Sequence, residues 1–316
     1  MKHLFIINPA AGKKGSTDAL VQQIHEVFAA EDNYEIAFTA GVGDAERIAR
    51  EATAASEELR IYACGGDGTL NETVNGAAGQ DHVAITNVPK GTGNDFLKIF
   101  GKGARARFLD LAALKDGPQT ALDLMDCNGK LGIGCICAGV DARVAADVHK
   151  YKSLPLVTGI GAYILSLLVN VLFKGISRPM KVRMGPHCTD GEVSIICVCN
   201  GRYYGGGFMP VGEAQPDDGV LDMLLVGKIS LPIFFRLVGK YAAGRYRECE
   251  NLIADYHGQE MSFTVDSGDG VAVVDGEVMQ GAAFTIKLSE YKINFFYPPD
   301  VFWREGETAG TLTAAL

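Results

Sequence analysis

The sequence predicts two domains in one chain: an α/β domain with a parallel sheet over residues 1–120, then a mostly antiparallel β-sandwich over residues 121–297. Three observations carry this reading. The 316 residues are about twice the size of an ordinary single domain. The first third alternates short apolar runs with helix-period segments, and glycine-rich loops follow the runs. Past about residue 120 the texture changes to short β-rich runs in succession.

In the first domain, residues 4–7 read as a buried strand. Ser16 or Thr17 is expected to cap a helix that carries Leu20, Val21, Ile24, Val27 and Phe28 on one face. Residues 34–39 form a second strand, and Asp44 is expected to cap a helix through Ile48 and Ala52. Residues 60–64 form a third strand that ends in Gly65-Gly66-Asp67-Gly68-Thr69, with a helix beginning near Leu70. Residues 82–88 form a fourth, followed by Lys90-Gly91-Thr92-Gly93-Asn94-Asp95. Strand, loop and helix repeated in this way imply a parallel sheet with binding loops at the carboxyl ends of its strands.

The second domain is expected to hold strands at 121–126, 131–138, 180–184, 193–199, 221–226, 261–265, 271–274, 284–288 and 292–297. Two helices interrupt them, near 160–173 and 231–243. Residues 155–173 carry no charge, but Thr158, Gly159, Gly161, Ser166 and Asn170 argue against a bilayer span. Ile160, Ile164, Leu167, Leu168, Val171 and Leu172 recur at helical spacing, so an amphipathic helix that is buried or touches a membrane fits better. The tail, 305–316, is small and polar and is expected to fray.

A net charge of -9 argues against nucleic acid, which requires a positive footprint. Two local clusters run the other way: Lys98, Lys102, Arg105 and Arg107, then Lys174, Arg178, Lys181 and Arg183. Each is either solvated loop surface or a contact for anionic lipid or nucleotide phosphate. Eight cysteines in a chain of this length do not make a disulfide framework. Cys135 with Cys137, and Cys197 with Cys199, are spaced to face one side of a strand as buried thiols. With no long apolar leader after Met1-Lys2-His3, a reducing, cytoplasmic setting is expected.

Chemistry concentrates in three glycine loops. Asn8-Pro9-Ala10-Ala11-Gly12-Lys13 follows the first strand and is by itself a common turn. The loops at Gly65 and Gly91 can expose backbone N–H groups and admit an anion closely, helped by the helix that follows Gly65. Tight packing explains any one loop, but not three on one sheet edge. No Walker A or protein-kinase motif is present.

Taken in order, Asn8-Pro9-x-x-Gly12-Lys13, Gly65-Gly66-Asp67-Gly68-Thr69 and Gly91-Thr92-Gly93-Asn94-Asp95 resemble the diacylglycerol kinase catalytic-domain family, in its soluble bacterial lipid kinase branch. Asn200-Gly201 with Gly205-Gly206-Gly207, the run Pro216-Asp217-Asp218-Gly219-Val220-Leu221-Asp222, and Asp275-Gly276-Glu277 look like that family's later motifs. The resemblance covers nearly the whole chain. It implies an NAD-kinase/diacylglycerol-kinase-like fold with ATP in a cleft between the domains. Residues 298–316 are expected to return to the first domain.

The same resemblance implies a nucleotide site built from Asn8, Thr39, the stretch Gly65, Gly66, Asp67, Gly68, Thr69, Leu70 and Asn71, and Thr92. Lys13 of the first loop and Gly91 and Asn94 of the third are also expected among the nucleotide contacts. Glu277 is implied as the catalytic base, and Asp218 as ligand of a structural Mg2+ together with the carbonyls of Gln215 and Val220.

The chemistry agrees. A lipid alcohol must lose its proton while attacking the γ-phosphate, and a carboxylate supplies that. Asp67 is placed to help hold a second, catalytic magnesium with the phosphates, or else is a turn aspartate bonding loop amides. Lys13 neutralises phosphate charge or is a surface lysine. Asp217, Asp218 and Asp222 crowd three acids into six residues, which suggests a cation.

The expected activity is transfer of the γ-phosphate of ATP to a lipid hydroxyl, diacylglycerol by default, at a membrane surface visited transiently. The rivals are an NAD kinase-like small-molecule kinase, whose Thr-Ala-Tyr-x-x-Ser motif is missing, and a non-catalytic nucleotide- or lipid-binding regulator.

Overall fold

The computed structural model describes residues 1–29, 33–54, 57–152, 165–249, 251–267 and 270–304. The expected tail at 305–316 and the first part of the 155–173 segment lie outside them. The chain divides into two compact units, Met1–Leu124 with Ser289–Leu316, and Met125–Leu288.

In the first unit, β1 (Lys2–Ile7), β2 (Tyr34–Phe38), β3 (Leu59–Gly65) and β4 (Val83–Pro89) pair in parallel, in the order β4-β3-β1-β2. The carboxyl-terminal end of β15 (Ala283–Phe296) adds to β4, also in parallel, with Asn294 opposite Ala84. β1, β3 and β4 read as nearly unbroken apolar runs because helices cover both faces, and their side chains are buried along almost the whole length. Phe5 stacks on Tyr62 at 4.2 Å, and Phe28 and Phe296 meet Tyr62 edge-on.

Three helices follow the strands: α1 (Ser16–Val27), α2 (Asp44–Thr53) and α3 (Asp67–Ala77). Neither α1 nor α2 is capped as the sequence suggests. The chain enters them through Gly15 (φ 82°) and Gly43 (φ 83°), so Ser16 and Asp44 are already helical. The carboxylate of Asp44 instead accepts the Ala40 N–H at 2.7 Å. α3 starts at Asp67, three residues before the expected Leu70, so only Gly66 separates it from β3. Short helices at Phe96–Phe100, α4 (Ala104–Arg107) and α5 (Leu111–Lys115) complete this stretch.

The second unit holds the end of β5 (Gln119–Cys127), β6 (Lys130–Gly132), β7 (Cys135–Gly139), β8 (Arg178–Met184), β9 (His187–Cys199) and β10 (Leu221–Gly227). It continues with β11 (Ile253–Gly258), β12 (Glu260–Val265), β13 (Gly270–Val274), β14 (Glu277–Gly281) and the start of β15. Strand order is β14-β13-β7-β9-β8-β12-β15, with β10 between β9 and β11, all antiparallel.

Alternation sorts β9 into two cores. Val193, Ile196 and Val198 face the sandwich interior with Met180, Phe263 and Phe284. Ile195, Cys197 and Cys199 face a layer of helices, α6 (Val140–Lys152) and α7 (Leu231–Ala242).

Several boundaries differ from expectation. The run at 131–138 breaks at Ile133-Gly134 into β6 and β7, and 284–288 and 292–297 are one continuous strand, β15. α6, β11 and β14 were not anticipated. The helical segment 165–173, which ends in a π-turn at Val169–Phe173, follows the expected amphipathic pattern only in part: Val171 and Leu167 pack on the core. Ser166 and Asn170 are buried and donate to Val144 O (2.7 Å) and Asp147 Oδ2 (2.9 Å), while Leu168, Leu172 and Phe173 face outward. Among the described residues no helix is long and apolar enough to cross a membrane.

Candidate functional site

Register brings the three loops of the first unit to one edge. Ile7 lies opposite both Cys64 and Phe38, and Gly65 lies opposite Pro89, so β1, β2, β3 and β4 end level. Asn8 N donates to Cys64 O at 3.0 Å and Thr39 N to Ile7 O at 2.9 Å, which fixes both residues at that edge. The Asn8 side chain accepts the Ala10 N–H and donates to Thr69 Oγ1 at 3.3 Å, joining the first loop to α3. Gly66, Asp67 and Gly68 remain partly exposed at the start of α3, whereas Thr69, Leu70 and Asn71 are buried. Lys13 and Thr92 are exposed at the same edge.

The second and third loops interlock. The Asp67 carboxylate accepts backbone N–H groups from Asn94 (2.8 Å) and Asp95 (2.6 Å). Gly65 O accepts from Lys90 N, Gly91 N and Asn94 Nδ2. Glycine is required by contact: a Cβ on Gly91 would lie 2.5 Å from Gly66 Cα, and one on Gly93 2.5 Å from Asp67 Oδ2. Asp67, read as a metal ligand, therefore also clamps the neighbouring loop. Asn94, expected among the nucleotide contacts, is buried at φ 48°, and its amide also reaches Asn87 and Arg105. Its side chain holds the loop itself.

The basic cluster at 98–107 is largely paired within the protein. Lys98 pairs with Asp95, Arg105 donates to Asn94 Oδ1 (2.8 Å) and Pro89 O (3.2 Å), and Arg107 forms a bidentate pair with Asp300. Its acids come from outside the run, so an open patch of four unpaired cations does not form; Lys102 and Arg105 are its exposed members. In the second cluster, Lys174 pairs with Asp147 and Lys181 lies 3.9 Å from Asp190.

In the second unit, Glu277 opens β14 directly after a two-residue turn. Asp275 (φ 48°) and Gly276 (φ 94°) both take left-handed conformations, as a tight hairpin between β13 and β14 requires. The Asp275 carboxylate accepts N–H groups from Ile133 (2.7 Å), Gly134 (2.9 Å) and Cys135 (3.0 Å). This anchor fixes the turn that presents the half-buried Glu277. Asn200 is tied to the same segment, its Nδ2 donating to Ile133 O at 2.9 Å.

The three acids read as a cation cluster do not gather around one point. Among the described residues no three Asp, Glu, His or Cys side chains converge for a metal. Asp222 sits on β10 opposite His257 of β11 and accepts from its Nδ1 at 2.6 Å, so it is taken out of the acidic run. Asp218 is exposed and its Oδ1 accepts the Val220 N–H at 3.0 Å. Gln215 Oε1 is buried in the same loop without a hydrogen-bond partner. The Asp218 carboxylate and the unpartnered Gln215 amide oxygen are hard oxygen donors of the kind magnesium takes.

The cysteine pairs are buried thiols as expected, but sequence reasoning missed the Asp141–Tyr204 pair that lies with them behind β7 and β9. Cys135 faces Cys199 and Cys137 faces Cys197 across the pair, all four buried thiols. Asp141 of α6 lies beside Cys197 and accepts the Tyr204 hydroxyl at 3.0 Å. Burial raises its carboxyl to about 7, above the ordinary 3.8.

The folded state therefore holds the proton where an unfolded Asp releases it, so stability falls as pH rises from about 4 through 7. The full shift is worth about 4 kcal/mol. Residual solvation at this half-buried residue reduces it to about 1–2 kcal/mol. Asp141→Asn is expected to melt higher than wild type at pH 8 and at the same temperature at pH 4; a difference independent of pH would contradict this.

The comparisons agree with the two-unit frame. Residues 2–127 match the diacylglycerol kinase catalytic domain, and residues 134–294 match the YegS C-terminal NAD kinase beta sandwich-like domain. A "Probable lipid kinase YegS-like" from Pseudomonas fluorescens is 30% identical over 301 residues, covering 92% of this chain and 94% of the relative. Its counterpart from Pseudomonas aeruginosa is 29% identical over 267 residues, covering 81% and 82%.

For the fold alone, a diacylglycerol kinase crystal structure from Bacillus anthracis aligns with TM-score 0.65 at 20% identity, covering 94% of this chain and 97% of that one. An NAD kinase from Archaeoglobus fulgidus in complex with ATP aligns with TM-score 0.50 at 12% identity, covering 94% of each. With both halves matched in order and the glycine loops gathered at one sheet edge, the chain belongs to the diacylglycerol kinase catalytic-domain family, among its bacterial lipid kinases.

Proposed function

We propose that this protein transfers the γ-phosphate of ATP to the hydroxyl of a membrane lipid, with diacylglycerol the leading acceptor and phosphatidic acid the product. The observation that carries the proposal is the level edge of β1, β3 and β4, where three glycine loops interlock within one family frame. Backbone N–H groups at the start of α3 and along Gly91–Thr92 would hold the phosphates, with the helix's positive end adding to the attraction. Asn8 and Thr39 would flank the nucleotide.

Glu277 would accept the lipid hydroxyl proton as that oxygen bonds to the γ-phosphorus and ADP leaves. When bound, magnesium neutralises phosphate charge and polarises the transferred group. Asp67 would help hold such an ion with the phosphates, and Asp218 with the carbonyls of Gln215 and Val220 would hold a structural one.

Access to lipid would be transient. Leu168, Leu172 and Phe173 turn outward beside Lys174, an apolar ridge with a cation, and this supports contact with a membrane surface better than the internally paired cluster at 98–107.

The test is transfer of radiolabel from ATP to lipids in mixed micelles: diacylglycerol, monoacylglycerol, a sphingoid base, phosphatidylglycerol and an isoprenoid alcohol, with NAD as a soluble control. Label is expected in the lipid phase, strongest with diacylglycerol. Labelled NAD with unlabelled lipid would sink the reading.

A further inference from the structure

Lys90 is buried where the loops of the first unit meet. Its backbone N–H donates to Gly65 O at 2.9 Å, at the end of β3. Its ammonium donates to Asn8 O (3.3 Å), just past β1, and to Thr17 Oγ1 (2.7 Å), in the first turn of α1. The first loop crosses directly over it: a Cβ on Gly12 would lie 3.1 Å from Lys90 O and 3.7 Å from Lys90 Cβ. Only 8% of the residue is exposed. One side chain thus underlies the turn at Asn8–Gly12, the start of α1 and the start of the third loop.

Both acceptors of this ammonium are neutral. The carboxylates of this edge are engaged elsewhere. Asp67 holds the Asn94 and Asp95 amides, Asp95 holds Lys98, and Glu72 accepts the Gly43 and Ala45 N–H groups of the α2 start. The titratable neighbour of Lys90 is the Cys64 thiol, which burial pushes up and keeps uncharged. A desolvated cation with neutral partners is costly unless an anion completes it. Through the low-dielectric loop its attraction for such an anion is stronger than in water. Burial accordingly moves the Lys90 ammonium below its ordinary value.

We propose that Lys90 is the fixed counter-charge of the nucleotide phosphates, a positioning residue that sets the preference for a polyphosphate and holds the Asn8–Gly12 turn against it. This rests on the reading that the three loops bind a nucleotide. The role belongs to Lys90 rather than to Lys13, which is solvated and exposed on the loop above it.

The experiment is calorimetric binding of ATP, ADP, AMP and adenosine to the full chain without lipid. Wild type is compared with Lys90→Gln, which keeps an N–H donor but loses the charge, and with Thr17→Val, which keeps the charge but loses its anchor. Lys90→Gln is expected to weaken ATP and ADP by about tenfold or more, AMP less, and adenosine not at all. Thr17→Val should show the same ranking with smaller factors. A purely structural role would weaken all four ligands equally, and that result would overturn the proposal. So would wild-type ATP affinity in Lys90→Gln. If wild type bound adenosine and ATP alike, or neither, the nucleotide-loop reading itself would fall and this inference with it. Should Lys90→Gln fold poorly, Thr17→Val and the salt dependence of wild-type ATP binding decide. Affinity that is flat with salt, with equal losses for ATP and adenosine in Thr17→Val, would overturn the proposal.

Discussion

Glu277→Gln is expected to lower kcat for lipid phosphorylation by about 10² to 10⁴ while leaving ATP affinity and melting temperature close to wild type. Glutamine has the size of glutamate and preserves a hydrogen-bonding oxygen, so geometry at the start of β14 should persist. What disappears is the ability to take a proton from the acceptor hydroxyl. A general base affects the chemical step and leaves ground-state nucleotide binding alone, so the loss should fall on kcat. Near-normal turnover by Glu277→Gln would show that the base is another group.

The second large effect is on stability, and it concerns the residue two places earlier. Asp275 accepts three backbone N–H groups from Ile133, Gly134 and Cys135 and occupies a left-handed conformation that Asp and Asn tolerate better than Ala. Asp275→Ala would strand three donors that a charged acceptor now satisfies. With unsatisfied groups costing about 1–3 kcal/mol each and partly recovered by water, a loss of about 3–5 kcal/mol is expected in urea denaturation. Asp275→Asn keeps an accepting oxygen and the backbone tolerance, so about 1–2 kcal/mol is expected. Equal stability of the Ala and Asn variants would remove the anchor from the account. Activity should fall in both, because Glu277 hangs from this turn.

Much of this architecture is written in local signals. The apolar runs of β1, β3 and β4 and the glycine loops after them are short-range features, and each of those strands formed with a loop at its carboxyl end. The sandwich was legible as a class because period-two runs survive on β8 and β12, where one face is solvated.

What stayed hidden depended on distant partners. Arg107 reads as an open cation until Asp300 arrives from 193 residues away. Asp67 reads as a loop acid, yet the amides it grips lie 27 and 28 residues on. Asp222 looks like part of a cation-binding run, but one residue of β-pairing turns it toward His257. The 165–173 segment misled for a different reason. Apolar periodicity marks a buried face only when the neighbouring surface is apolar, and here α6 offers Val144 O and Asp147 to Ser166 and Asn170. Glycine entries to α1 and α2 were missed because a left-handed residue before a helix leaves no side-chain signature.

The pairing of β15 with β4 has a consequence for the order of assembly. Asn294 lies opposite Ala84, a separation of 294 − 84 = 210 residues. At ordinary translation rates of about 5–20 residues per second, β4 waits roughly 10–40 s on the ribosome before its neighbour exists. During that interval the strand Val83–Pro89, buried along its whole length in the finished fold, is the bare flank of a nascent sheet. Its unpaired N–H and C=O groups and apolar side chains are the combination that recruits wrong partners. Closing so long a loop carries only a logarithmic entropic penalty, so the final pairing is thermodynamically ordinary. The vulnerability is kinetic, and slow synthesis or truncation before Asn294 would leave this flank open to wrong pairing and aggregation.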